Sequence, residues 1–107
     1  MDVTKNDPNA HIAAINKGPV SAAINAASSI FQFYKGGIIS STSCGTSLNH
    51  AVLFVGYGAD ASGNKYWLLK NSWGTGWGES GYFRIARDNV TGPGICGILT
   101  WSSYPTL

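Results

Sequence analysis

The chain of 107 residues predicts an α+β fold, with one helix followed by an antiparallel meander and a mostly β core. Three observations carry this expectation. A capped helical segment sits near the start. From residue 51 onward, apolar residues come in short β-branched and aromatic runs separated by Gly, Asn, Asp and Ser. Apolar types make up 44% of the chain, enough for a core and too many for general disorder.

The elements follow in order. Asn6-Asp7-Pro8 is a helix start, with a side-chain oxygen to cap free N–H groups and proline in the first turn. Ala10, Ile12, Ala13, Ala14 and Ile15 form an inward stripe, and Gly18-Pro19 stops the helix. His11 lies in this segment and is expected at the surface, where most polar helix residues sit. Val20 to Ala26 is weakly strand-like, and Ser28 to Tyr34 suits a short helical turn. Gly36-Gly37 breaks the chain, and Ser40 to Ser47 is a polar loop holding Cys44. Ala51 to Tyr57, Tyr66 to Lys70 and Tyr82 to Arg87 are the predicted strands. Asp60-Ala61-Ser62-Gly63-Asn64 joins the first two as a hairpin, and Gly97 to Ser102 is expected as a last strand. The sequence forms one domain, without repeat, linker or low-complexity tract.

Charge argues against several function classes. Charged residues are only 11% of the chain, which suggests that part of the surface is meant to be covered. The net charge of +2 comes from 7 basic and 5 acidic residues with no cluster of either sign, unlike a nucleic-acid binder. Ala51 to Ala59, the longest nearly uninterrupted apolar stretch, is far short of the roughly 20 residues of a membrane span. Two cysteines and two distant histidines lack metal-ligand spacing, and Gly74 to Gly81 matches no phosphate loop. No cofactor is implied. Asp2, Lys5 and Asp7 follow Met1 with no apolar segment, so no secretory signal is expected in these first residues. Cys44 and Cys96 read either as buried thiols or as a disulfide, which would require an oxidising compartment and a longer precursor. Asn89-Val90-Thr91 is an acceptor-type glycosylation sequon.

Two residues suggest chemistry together. His50 stands at the mouth of one strand, and Asn71 ends the next. A hairpin makes these strands antiparallel neighbours, so their side chains can meet. An asparagine carbonyl accepting from one imidazole nitrogen sets the tautomer and ring orientation, freeing the other nitrogen to exchange a proton. Asparagine does so without adding charge, which suits a nucleophile that itself becomes the anion, such as a thiolate. Taken singly, His50 reads as a structural histidine, Asn71 as a turn residue, and Trp73, Trp77 and Trp101 as core.

Leu48-Asn49-His50-Ala51-Val52, Val55-Gly56-Tyr57-Gly58 and the run from Tyr66 through Asn71-Ser72-Trp73-Gly74 to Gly81-Tyr82-Phe83 resemble the C-terminal half of papain-like cysteine proteases. Gly18-Pro19-Val20-Ser21 and Tyr34-Lys35-Gly36-Gly37-Ile38 extend the match, and Cys96-Gly97-Ile98 through Ser103-Tyr104-Pro105 is similar to the cathepsin L branch. The resemblance covers nearly the whole chain and implies the right-hand domain of that fold, a helix followed by a barrel-like antiparallel sheet. It implies that His50 partners a nucleophilic thiolate, Asn71 orients it, Trp73 shields their hydrogen bond and Trp77 walls the primed side of a cleft. Ala23, Leu48, Asn49, Ala51 and Trp101 fall where such proteases contact substrate. Trp101 departs from the usual small residue there and is expected to shorten the pocket against bulky aromatic side chains. Cys44 and Cys96 match a disulfide of the family. It would close a loop of about 52 residues and be worth about 4 kcal/mol in the chain-entropy model.

The family's nucleophile motif, Cys-Gly-[Ser/Ala]-Cys-[Trp/Tyr], is absent from this sequence, as is the glutamine of its oxyanion site. Cys44 lies six residues before His50 in a polar loop and does not replace it. The chain is therefore expected to be inactive alone, as the β-rich half of an endopeptidase whose N-terminal, cysteine-bearing half supplies the thiol. The partners implied are that half and a peptide substrate, with self-association through the exposed half-cleft, in a lysosomal, vacuolar or secreted setting. The alternative is an isolated noncatalytic domain that binds a partner through the same face.

Overall fold

The computed structural model describes residues 2–24, 29–40, 50–87, 94–95, 98–100 and 102–103, with 29 and 30 described in backbone alone. Its elements are α1 (Pro8–Ile15), β1 (Val20–Ile24), α2 (Ser29–Gln32), β2 (Ile38–Ile39), β3 (His50–Ala59), β4 (Lys65–Lys70), β5 (Tyr82–Ala86) and β6 (Ser102–Ser103). The fold class is α+β, as expected. The sheet has six strands in the order β2-β5-β4-β3-β1-β6 and is not closed.

Local chemistry explains the elements. The Asp7 side chain accepts from the Ala10 N–H at 3.1 Å, and Pro8 occupies the first turn of α1. In the β3–β4 hairpin, Asp60 Oδ1 accepts from the N–H groups of Ser62 (3.0 Å) and Asn64 (2.9 Å). Asn64 also donates from Nδ2 to Asp60 Oδ2 at 3.1 Å. These bonds, Asn64's backbone N–H first, hold the Asp60 carboxyl below its usual range. The β4–β5 connection ends in a two-residue turn: Glu79 and Tyr82 exchange backbone bonds of 2.9 and 3.1 Å. Ser80 (φ 57) and Gly81 (φ 92) are both left-handed there, the requirement of a type I′ turn.

The core follows the period of two. Val20, Phe54, Leu69 and Phe83 stand side by side across β1, β3, β4 and β5, and all are fully buried. Trp67 and Ile85 form the next buried pair. A register shift between Phe54 and Gly56 marks a bulge in β3.

Three features differ from the sequence expectation. The sheet is not a simple meander, because β2 runs parallel to β5 and β1 lies between β3 and β6. The predicted last strand over Gly97 to Ser102 is instead a turn at 98–100, with β6 only at Ser102–Ser103. Ile98 and Leu99 are buried there, and Leu99 O accepts from the Asn6 N–H at 2.9 Å rather than joining a ladder. His11 is not at the surface: it is fully buried. Its Nδ1 donates to Asp7 O at 2.8 Å, and its Nε2 accepts from Ser102 Oγ at 2.9 Å. Phe54 and Trp67 pack on its ring at 5.6 and 6.2 Å. Two partners for two ring nitrogens make this burial affordable, which helix periodicity does not reveal.

Candidate active site

His50 begins β3 and Asn71 follows β4. Continuing the Leu53↔Lys70 register puts Val52 across from Asn71 and His50 across from Trp73. His50 and Asn71 are thus diagonal neighbours on the core-facing side, within side-chain reach. His50 Nε2 lies 2.7 Å from Asn71 Oδ1. The same oxygen accepts from the Ser72 N–H at 2.8 Å, which identifies it as the carbonyl and requires His50 Nε2 to donate. His50 Nδ1 has no hydrogen-bond partner among the described residues.

Asn71 is only 4% exposed, and its Nδ2 is buried without an acceptor among the described residues. An unpaired buried donor costs about 1–3 kcal/mol, a local sacrifice typical of functional sites rather than of optimised cores. Its backbone is held by the bond from Asn71 N to Gly81 O at 3.0 Å.

An aromatic cluster surrounds the pair. The Trp73 ring lies 5.2 Å from the His50 ring and is 41% exposed, covering the imidazole from the solvent side. Trp77 stands edge-on to Trp73 at 5.5 Å and donates Nε1 to Phe31 O at 3.2 Å. Phe31, fully buried in α2, packs on His50 (6.2 Å), Trp73 (5.2 Å), Trp77 (4.9 Å) and Phe83 (5.0 Å). It was not among the sequence candidates. The only signal was its position in the short helical run, whereas its centrality depends on how α2 lies on the sheet.

Beyond Trp77, Glu79 forms a two-pronged ion pair with Arg84, Nε to Oε1 at 2.9 Å and Nη2 to Oε2 at 2.7 Å. These bonds hold the Glu79 carboxyl below its usual range and the Arg84 guanidinium above its own. Burial pushes the neighbouring Tyr34 hydroxyl up to about 12.

Of the expected substrate contacts, Ala23 and Ala51 are cross-strand partners on β1 and β3. Ala51 is exposed and Ala23 half-buried, both on the face opposite Val52. Leu48, Asn49, Trp101, the Cys44–Cys96 pair and Asn89 lie outside the described residues. Among the described residues, no group of three or more His, Cys, Asp or Glu is placed to hold a metal ion. No described helix is long and apolar enough to cross a membrane.

Residues 1–106 match the papain family of cysteine proteases. Fruit bromelain of Ananas comosus is 48% identical over 105 residues, covering 98% of this chain and 29% of that protein. The KDEL-tailed cysteine endopeptidase CEP2 of Arabidopsis thaliana is 52% identical over 104 residues, covering 97% of this chain and 28% of its own length. The solved structure of the bromelain protease from Ananas comosus in complex with the E64 inhibitor superposes with a TM-score of 0.93. It shares 50% identity and covers 99% of this chain and 48% of that one. This chain thus spans about three-tenths of these curated relatives, and in sequence and fold it belongs to the papain family of cysteine proteases.

Proposed function

We propose that this chain is the C-terminal, β-rich half of a papain-like cysteine endopeptidase and supplies the proton-transfer side of its active site. The observation that carries this is the 2.7 Å contact from His50 Nε2 to Asn71 Oδ1, which leaves Nδ1 turned away from its orienting partner. The thiol and the oxyanion donor come from an N-terminal half, for which the greater length of the relatives leaves room.

In the assembled site the reaction is acyl transfer. The thiolate attacks the scissile carbonyl, and imidazolium Nδ1 gives its proton to the leaving amine as the C–N bond breaks. Neutral His50 then takes a proton from water as that water attacks the thioester, and the thiolate is released. Asn71 keeps the ring in one orientation throughout, and Trp73 keeps water from competing for the Asn71 carbonyl. Ala23, Leu48, Ala51 and Trp101 line the subsite for the substrate's second residue, with Trp101 limiting its depth, and Asn49 is a further substrate contact. Cys44 and Cys96 form the disulfide, Asn89 is a glycan acceptor, and the whole enzyme belongs to the cathepsin L-like branch. The KDEL tail named in one relative is an ER-retention address and supports passage through the secretory pathway, from which a lysosomal, vacuolar or secreted destination follows as our reading.

The test is hydrolysis of a fluorogenic peptide by the chain alone and after co-expression with the cysteine-bearing half of a relative. Activity only in the combination supports the proposal. Halves that do not associate favour a noncatalytic binding domain. A library of cleaved peptides preferring Phe over Val at the second position would refute the role given to Trp101.

A further inference from the structure

We infer that the Glu79–Arg84 ion pair is a positioning element for the His50–Asn71 pair, acting through Trp77 and Trp73. This rests on the acyl-transfer role of His50. The segment from Asn71 to Gly81 carries Asn71, Trp73 and Trp77 on one loop. Its stem is closed by Asn71 N donating to Gly81 O at 3.0 Å and Gly81 N donating to Trp77 O at 2.8 Å. Within the loop Trp77 N donates to Gly74 O at 3.4 Å, and the Trp77 ring is held by its bond to Phe31 O at 3.2 Å, but neither bond ties the loop to β5 or to the α2–β2 turn.

Glu79 does. Its side chain leaves the loop and accepts from two other segments: from Arg84 on β5 at 2.9 and 2.7 Å, and from the Gly37 N–H in the α2–β2 turn at 3.2 Å. Tyr34 closes the circuit. Its hydroxyl donates to Gly37 O at 2.6 Å and accepts from Arg84 N at 3.4 Å, while its ring lies 5.3 Å from Trp77. The approach is so close that a Cβ on Gly78 would meet Tyr34 ring carbons at 3.0 Å and Tyr82 O at 2.7 Å. From Trp77 the contacts continue to Trp73 at 5.5 Å and from Trp73 to His50 at 5.2 Å.

The pair is a poor candidate for bulk stability. Its side chains are 25% and 33% exposed, so solvent screens much of their attraction. Its two-pronged geometry instead specifies direction, joining three segments behind the wall of the site. An ion pair that adds little to the folding free energy but fixes an angle acts on the orientation of the imidazole, where small displacements cost rate steeply.

With two histidines in the chain, NMR of the imidazole ring protons reads the effect directly. His11, fully buried and fixed by Asp7 and Ser102, is the internal control. In Glu79→Ala and in Arg84→Ala, the His50 ring-proton resonances shift while those of His11 stay in place. The double variant moves His50 no further than either single one, because the two side chains act as a unit. Arg84→Lys, which keeps the charge and loses the second prong, gives a smaller shift and is the variant to use if the alanine variants do not fold. In the assembled enzyme kcat falls about tenfold with KM little changed. His50 resonances that do not move in a folded variant overturn the inference. Absence of turnover in the assembled wild-type enzyme bears on the acyl-transfer role alone, since the resonance shift is read without it.

Discussion

The two histidines of this chain sit in opposite circumstances. His11 is fully buried at the α1–β6 junction, with one nitrogen donating to a carbonyl, the other accepting from a hydroxyl, and two aromatic rings against its faces. His50 stands at the rim with one nitrogen held by Asn71 and the other unpartnered among the described residues. Both lie beside aromatic groups, so packing does not separate them. What separates them is unused hydrogen-bonding capacity: a ring with both nitrogens committed is structural, and one with a free nitrogen is available for proton transfer.

Removing each ring breaks this comparison most sharply. In the assembled enzyme, His50→Ala is expected to lower peptide hydrolysis by about 10³-fold or more, whereas His11→Leu leaves kcat close to wild type. Equal losses in a steady-state assay would erase the distinction. Asn71→Ala is expected to cost less, about 10²-fold in kcat, because the imidazole keeps its Trp73 and Phe31 contacts and loses only its orienting acceptor. An unchanged rate would show that Asn71 does not orient the ring.

Stability should respond in the reverse sense. His11→Ala leaves a cavity and an unpartnered Ser102 hydroxyl, costing about 3 kcal/mol in denaturant unfolding. His50→Ala should cost much less, since the ring is only partly buried.

Acid sharpens the contrast further. Burial lowers the His11 pKa from 6.5, opposed by the Asp7 carbonyl contact and then by the Asp7 charge. The folded chain therefore binds its proton later than the unfolded one. The stability it contributes is complete above about pH 6.5 and is lost as pH falls toward and through the lowered folded value. Glu79, lowered from 4.5 chiefly by its bonds from Arg84, gives a second loss that begins only below that pH. Unfolding curves measured across this range should show the first decline vanish in His11→Leu and the second persist. The smallest expected effect is Ser80→Asn, which places a residue tolerant of left-handed backbone at φ 57. It should raise stability by about 0.5 kcal/mol in the same assay without changing activity.

Much of this organisation was legible from local signals. The helix start at Asn6-Asp7-Pro8, the Asp60–Asn64 hairpin and the apolar runs that became β3, β4 and β5 all depend on residues close in the chain, and all formed as expected. The His50–Asn71 contact was foreseeable only in part: the hairpin makes their strands neighbours, but the register shift between Phe54 and Gly56 puts Asn71 across from Val52 and so on the face of His50. What eluded local reasoning came from long-range packing. His11 looked like a surface residue because its partner Ser102 is 91 positions away. Phe31 looked like an ordinary apolar residue because the rings it touches belong to β3, β5 and the Asn71–Gly81 loop. The last strand was placed too early because Ile98 and Leu99 have strand-like composition but are buried in a turn.

The amino-acid order by itself determined α1, the β3–β4 hairpin that makes the strands of His50 and Asn71 neighbours, and the family to which the chain belongs. Tertiary structure alone decided which histidine was sealed in the core and which kept a nitrogen unpartnered among the described residues, and how Glu79 reaches Arg84 and Gly37 from one loop. The physical reason is that caps, turns and strand alternation are fixed by neighbours in sequence. The protonation and orientation of a side chain depend on whatever distant groups the fold brings within a few ångströms.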